Sequence, residues 1–382
     1  MEPSKPMKFL FLAAMAVLSN FSVMSQNVCE IVDELKSEYA PDKRTSVWDV
    51  QAEEHYEAWL LKGKVDKPFY KQALLERLDS ENIRYVDSIE VLGCGWGIVK
   101  LSVASLRAEG RHAAEMVSQG IMGMPVKLLE PAGEWYKVQT PDDYIAFVPA
   151  NSLAIKNADE LAAWRNAKRM IVTVKNTSLL SQPGGGEIVS DLVLGNILEY
   201  KGKKGKWLHL ATPDGREGYV KNNEMEDFKR WSGQSFNADV IINTAKSMTG
   251  SGYLWGGTST KLTDCSGLVK VSYFANAIIL QRDASQQALT GYRINAVDWE
   301  KNAKKGDLLF WGTKSGRVTH VGLYIGNGRY IHCSGQVKYN SLDSKATDFL
   351  DTPFLSISRI DGCMGSLGII PVKDHEWYFD KK

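Results

Sequence analysis

The sequence predicts an α+β protein of several domains: a helical N-terminal region, two small β-barrels, and a C-terminal domain whose cysteine-headed helix packs on an antiparallel sheet. Three observations predict it. At 382 residues the chain is too long for one ordinary core. Apolar periodicity shifts from helical to alternating near residue 91, and a strand–turn–strand pattern then occurs twice, 72 residues apart. A helical stretch headed by Cys265 precedes three short β-rich segments. The implied division is a signal peptide at 1–25, a helical region at 26–90, barrels at 91–156 and 168–228, and the cysteine-bearing domain at 232–382.

Lys5 and Lys8 precede an apolar run from Phe9 to Leu18, and a more polar stretch ends at Ser25. That order is the pattern of a secretory signal cleaved after Ser25, and the run is too short to span a bilayer. No later segment reaches transmembrane length, so export to the periplasm or medium is expected, with no integral membrane segment in the mature chain. Residues 28–90 read as helical because Leu35 and Tyr39, then Tyr56, Trp59 and Leu60, then Ala73, Leu74, Leu75 and Leu78 recur at helical spacing.

Beyond residue 91 the segments Val99–Val103, Pro125–Leu129, Trp135–Val138 and Tyr144–Val148 read as strands punctuated by Pro, Gly and Asp. Gly133-Glu134-Trp135, then Thr140-Pro141-Asp142, then Tyr144 has a counterpart in Gly205-Lys206-Trp207, Thr212-Pro213-Asp214 and Tyr219. Internal duplication is the economical reading. The basic run Lys201–Lys206 falls in the second copy and reads as a solvated hairpin turn. With 46 basic against 45 acidic residues the chain has no global field for a polyanion, so nucleic acid is not an expected partner.

Five cysteines come after the signal: Cys29, Cys94, Cys265, Cys333 and Cys363. An odd number in an oxidising compartment leaves a free thiol, and no C-x-x-C pair suggests a metal. Leu268, Val269, Ser272, Ala275 and Ile278 fit one helical face, which puts Cys265 in the first turn with Asp264 at the cap. Unpaired N–H groups and the helix dipole there favour thiolate, so alkylation is expected to label Cys265 ahead of the other four. Gly267 permits close packing beside the sulfur. A cysteine on a helix's buried side also serves as a small hydrophobe, so the histidines matter.

His320 and His332 lie in adjacent strands joined by Gly326-Asn327-Gly328. If those three residues form the loop, His332 opposes Gly322 and shares a face with His320; a two-residue Asn-Gly turn puts the rings on opposite faces. A shared catalytic role therefore requires the odd loop or a bulge.

Together Tyr253-Leu254-Trp255-Gly256-Gly257, Asp264-Cys265-Ser266-Gly267-Leu268, Gly306-Asp307-Leu308-Leu309-Phe310, His320–Gly326 and Ile331-His332 resemble the NlpC-type cell-wall cysteine peptidases, compact relatives of papain. The resemblance covers most of residues 236–372. It implies a papain-like fold in which Cys265 attacks the carbonyl, His320 carries the proton and His332 orients His320. It also implies that Tyr253, Trp255, Asp264 and Ser266 line the substrate site, with the Cys265 N–H and Tyr253 hydroxyl polarising the carbonyl oxygen. The two repeats resemble bacterial Src-homology-3-like modules. The whole layout is similar to peptidases that cut between D-glutamate and a diamino acid in peptidoglycan stem peptides. There the first module restricts entry to stems with a free N-terminal L-alanine, which implies roles for Glu115, Tyr144, Arg282 and Asp283. No cofactor is implied.

Three other readings stay open: an amidase or acyltransferase on the same scaffold or a general wall hydrolase, a non-catalytic wall-binding protein, and a zinc site from Cys265, His320, His332 and Cys333. The last is weak because Cys333, adjacent to His332 on a strand, faces away.

Overall fold

The structure is a computed structural model that describes residues 28–380, so the signal assigned to 1–25 lies outside the described residues. No helix among the described residues is long and apolar enough to cross a membrane. The chain divides after Gly93 into two compact units.

The first unit corrects the helical reading of residues 26–90. Helix α1 (28–39) is followed by β1 (Trp48–His55), β2 (Ala58–Val65), α2 (Pro68–Ser80) and β3 (Tyr85–Val91). β1 and β2 form an antiparallel hairpin, and α2 crosses over to bring β3 parallel to β2. The helix-like spacing of Tyr56, Trp59 and Leu60 misled because these residues do not share a face. Tyr56 sits exposed in the hairpin turn at φ 53°, whereas Trp59 and Leu61 alternate into the core with strand period. α2 does keep the helical pattern, with Pro68 in its first turn and Tyr70, Leu74 and Leu78 buried.

The second unit opens with strands β4 (Gly95–Val99), β5 (Val103–Arg107), β6 (Met116–Ile121), β7 (Pro125–Ala132), β8 (Trp135–Gln139), β9 (Ile145–Pro149) and β10 (Leu153–Lys156). They form one seven-stranded sheet in the order β10-β4-β7-β8-β9-β5-β6. Val99–Val103, expected to be one strand, is instead the end of β4 at Val99 and the start of β5 at Val103, joined by a turn at 100–102. Helix α3 (Ala158–Asn166), capped by Asn157 and Glu160, leads to a second sheet. Its strands are β11 (Arg169–Val172), β12 (Asn176–Gln182), β13 (Gly185–Val193), β14 (Ile197–Lys204), β15 (Trp207–Ala211), β16 (Glu217–Lys221) and β17 (Met225–Asp227), in the order β13-β12-β16-β15-β14-β11-β17.

Reversed, that order matches the first strand for strand. The shared turns match too. Thr140 Oγ1 donates to Asp142 Oδ1 at 2.6 Å, and Thr212 Oγ1 donates to Asp214 Oδ1 at 2.6 Å. Asp143 and Gly215, also 72 residues apart, take positive φ of 64° and 87°. In the first copy the turn does more. Asp142 Oδ2 accepts from Lys270 Nζ at 2.5 Å, which ties the sheet to the helix that bears Cys265.

The remainder contains α4 (Phe228–Ser232), α5 (Ala238–Ser247), α6 (Cys265–Phe274), β18 (Ile278–Leu280), α7 (Ala284–Gln287), β19 (Tyr292–Asn295), α8 (Trp299–Asn302), β20 (Leu308–Gly312), β21 (Val318–Gly326), β22 (Arg329–Ser334), β23 (Gln336–Ser341), β24 (Phe354–Arg359) and β25 (Ile369–Pro371). β18 pairs with β25, and six strands form a sheet in the order β19-β24-β20-β21-β22-β23. α6 is shorter than the sequence suggests. Ala277 has φ 56°, which ends the helix and frees Ile278 to begin β18. α5 and α6 pack on one sheet face against Leu308, Phe310, Val321, Leu323, Ile331 and Cys333.

Candidate active site

Asp264 is the N-cap of α6, and its Oδ1 accepts from Gly267 N at 2.7 Å. Its Oδ2 accepts from Gly256 N at 3.0 Å and from Arg282 Nη2 at 2.5 Å. Arg282 Nη1 donates to Ser266 Oγ at 2.8 Å, and the arginine is 2 % exposed. With its oxygens so occupied, Asp264 fixes the helix start beside the nucleophile. Gly267 is required by a close approach. A Cβ there would stand 1.9 Å from the Gly257 carbonyl oxygen.

Cys265 is buried in the first turn of α6. Burial, and after it the Asp264 carboxylate, pushes the thiol up to about 11, against the lowering by N–H donors from Val321 and Ser266. The helix start therefore does not deliver a resting thiolate. Since Cys29 and Cys94 are exposed, the expected preference of simple alkylating reagents for Cys265 does not arise from this site.

Val321 is the residue after His320, so its bond to the sulfur brings β21 beside the thiol. The β21–β22 hairpin turns through Asn327-Gly328, with a bulge between Tyr324 and Gly326. The bulge restores parity: Gly322 opposes His332, and the two histidines share a face. His320 Nε2 and His332 Nδ1 are 2.7 Å apart.

Asn340, which the sequence pattern does not single out, completes this line. Its Nδ2 donates to the Asp348 carbonyl, which orients the amide so that Oδ1 accepts from His332 Nε2 at 3.0 Å. With a neutral imidazole, a proton on His332 Nε2 leaves Nδ1 as acceptor. His320 then donates from Nε2 and keeps the lone pair on Nδ1. A cross-strand diagonal of this kind becomes visible only once the β22–β23 register is known.

Burial, then the neighbouring ring, then Lys338 push His320 down to about 3. Burial, opposed by Asn340, pushes His332 down to about 4. In the unfolded chain both titrate near 6.5. Their contribution to stability is therefore intact above about pH 6.5 and drains as pH falls through 4 and then 3. The thermal midpoint should drop by about 5 °C or more between about pH 7 and pH 4. The double variant His320→Gln, His332→Gln should drop less over the same interval in a calorimeter; an equal drop would refute the buried-neutral pair.

Of the other expected residues, Trp255 Nε1 donates to Glu115 Oε1 at 2.6 Å, although the indole is 61 % exposed. Gln119 N donates to Thr258 Oγ1 at 3.0 Å and Thr258 N to Gln119 Oε1 at 2.9 Å, so the 254–258 loop covers the edge strand β6. Tyr144 is buried in the core of the first sheet and contributes to the electrostatic surroundings of Arg282. Asp283 heads α7 in a capping box with Gln286. Tyr253 is half-buried, its phenol pushed up by burial and then by Cys265. Cys333 lies on the α6 side of the sheet and donates to the Thr263 carbonyl at 3.2 Å, facing away from the histidines. Among the described residues no group of three or more His, Cys, Asp or Glu is placed to hold a metal ion.

Comparison with known proteins agrees with this geometry. Residues 250–350 match the NlpC/P60 family and residues 106–153 the bacterial dipeptidyl-peptidase Sh3 domain. Dipeptidyl-peptidase 6 of Lysinibacillus sphaericus is 28% identical over 65% of this chain and 92% of that protein. Gamma-D-glutamyl-L-lysine dipeptidyl-peptidase of Bacillus subtilis is 27% identical over 56% of this chain and 71% of that protein. The crystal structure of an NlpC/P60 family protein from Bacillus cereus superimposes with a TM-score of 0.60 at 20% identity, covering 69% of this chain and 99% of that one. The cysteine at a helix start and the bulged hairpin that pairs two histidines thus lie within an NlpC/P60 domain at residues 250–350, and a bacterial dipeptidyl-peptidase Sh3 domain at residues 106–153 precedes it.

Proposed function

We propose that the protein is an exported cysteine peptidase that hydrolyses the γ-D-glutamyl–diamino acid bond of peptidoglycan stem peptides carrying a free N-terminal L-alanine. The observation that carries the reading is the line from Cys265, beside Val321, through His320 to His332 and Asn340. Two relatives whose names specify dipeptidyl-peptidase activity support it.

With the thiol held high and His320 held low, proton transfer from Cys265 to His320 Nδ1 accompanies attack of the sulfur on the carbonyl carbon. The Cys265 N–H and the Tyr253 hydroxyl stabilise the developing oxyanion. His320 returns the proton to the leaving amine as the C–N bond breaks, which leaves a thioester. Water, deprotonated by His320, then opens the thioester and releases the carboxylate. Arg282, with Ser266, holds the nucleophile's helix and the adjacent pocket.

Glu115, braced by Trp255, supplies a carboxylate for the substrate's ammonium, with Asp283 as a second carboxylate. Each charge-assisted hydrogen bond to that ammonium is worth about 1.5–3 kcal/mol. Acetylating the L-alanine of L-Ala-γ-D-Glu-diaminopimelate should therefore lower kcat/KM on the order of a hundredfold. Glu115→Gln should lower kcat/KM for the free peptide and narrow its advantage over the acetylated one. Comparable rates on both peptides would instead indicate a general wall hydrolase.

A further inference from the structure

Lys338 stands directly opposite His332 in the β22–β23 register. Opposed residues of an antiparallel pair share a sheet face, so this ammonium lies on the face of both catalytic-site rings. After burial, its charge is among the causes that lower His320 and His332. It is half-buried, and among the described residues no carboxylate pairs with it.

That placement is costly for the chemistry. His320 must become an imidazolium during acylation, and an uncompensated cation nearby opposes this. An anion bound between Lys338 and the rings removes the opposition. Proton delivery fixes the direction from which such an anion comes. His320 protonates the leaving nitrogen, so the leaving residue lies on the histidine side of Cys265. Glu115, Trp255 and Arg282 are tied instead to the start of the nucleophile's helix, through Gly256, Asp264 and Ser266. Lys338 reaches the site from β23, on the histidine side.

We infer that Lys338 receives a carboxylate of the leaving residue and so selects the residue on the amine side of the scissile bond. This rests on the proposed peptidase activity and extends it to the third residue of the stem. Two carboxylates share the required chemistry: the free α-carboxylate of a tripeptide, and the side-chain carboxylate that diaminopimelate has and lysine lacks.

Four peptides separate them: L-Ala-γ-D-Glu-diaminopimelate, its C-terminal amide, its side-chain amide, and the lysine tripeptide. Amidating the carboxylate that Lys338 reads should cost the wild type about tenfold or more in kcat/KM, the scale of one charge-assisted hydrogen bond. Lys338→Gln should lose a similar factor on the unamidated diaminopimelate peptide and become nearly indifferent to that amidation. Lys338→Glu should prefer the amide. Calorimetry with the Cys265→Ala protein should show the same ratios in Kd, independent of turnover.

If Lys338→Gln lowers the rate equally on all four peptides, the lysine acts only on the histidines and the inference fails while the peptidase activity stands. Unchanged amidation ratios in Lys338→Gln overturn it likewise. If the wild type cleaves none of the four, the activity itself is refuted and the inference with it.

Discussion

Cys265→Ala should reduce cleavage of the free tripeptide by about 10⁴-fold or more, because nothing else in the site is placed to form the covalent intermediate. The protein should remain folded, since alanine fills most of the buried space and the Asp264 cap does not involve the sulfur. Chelators should have no effect on the wild type. Residual hydrolysis near the wild-type rate, or loss on chelation that zinc restores, would sink the cysteine mechanism. Labelling needs a different reagent from the one the helix start suggests. Iodoacetamide meets Cys29 and Cys94 first, whereas Cys265 is buried and its thiol is high. A peptide-borne electrophile, which places the reactive carbon beside His320, should modify Cys265 selectively; mass mapping of the labelled peptide checks this.

His320→Ala should be as damaging as the loss of Cys265, because the ring carries the proton in both half-reactions. His332→Asn should be milder, with a loss on the order of 10²-fold. An amide oxygen can still accept from His320 Nε2 and keep its lone pair on Nδ1. Asn340→Leu tests the tautomer argument from the other end. It removes the acceptor that holds the proton on His332 Nε2, so a loss approaching the ~10⁴-fold cost of a wrong tautomer is the upper bound. Single-turnover rates for the four proteins measure this. An Asn340→Leu protein with wild-type acylation would show that the relay stops at His332.

Much of this site was legible because its parts are local. The cap–cysteine–glycine run is contiguous, and strand parity pointed to His332 opposite Gly322. The structure reaches that register through a two-residue turn and a bulge, the second of the two routes open at the outset. The illegible part depends on distance in sequence. Asn340 and Lys338 reach His332 only across the β22–β23 register, and Asp264 could not be seen to be saturated until Gly256 and Arg282 were folded onto it. The thiol's direction was misjudged for a related reason: the helix start is a local favourable contribution, whereas burial is collective. The N-terminal unit failed on chemistry. Tyr56, Trp59 and Leu60 mimic a helical stripe by coincidence of a turn aromatic beside an inward-facing strand pair.

The reciprocal bonds between Gln119 and Thr258, together with Gly256 lying so close to Met116 that a Cβ would stand 2.4 Å from its carbonyl oxygen, bear on how such proteins evolve. Modules strung on a chain can be shuffled when recombination cuts between them. Here the seam runs through backbone as well as side chains, so an exchanged module meets a loop shaped for a different edge strand. The first sheet and the catalytic loops are thus expected to descend as one heritable block, and the second copy, which lacks the Asp142–Lys270 clasp, carries a seam of its own through Thr260 on the Lys175 carbonyl and Lys261 on Asp191.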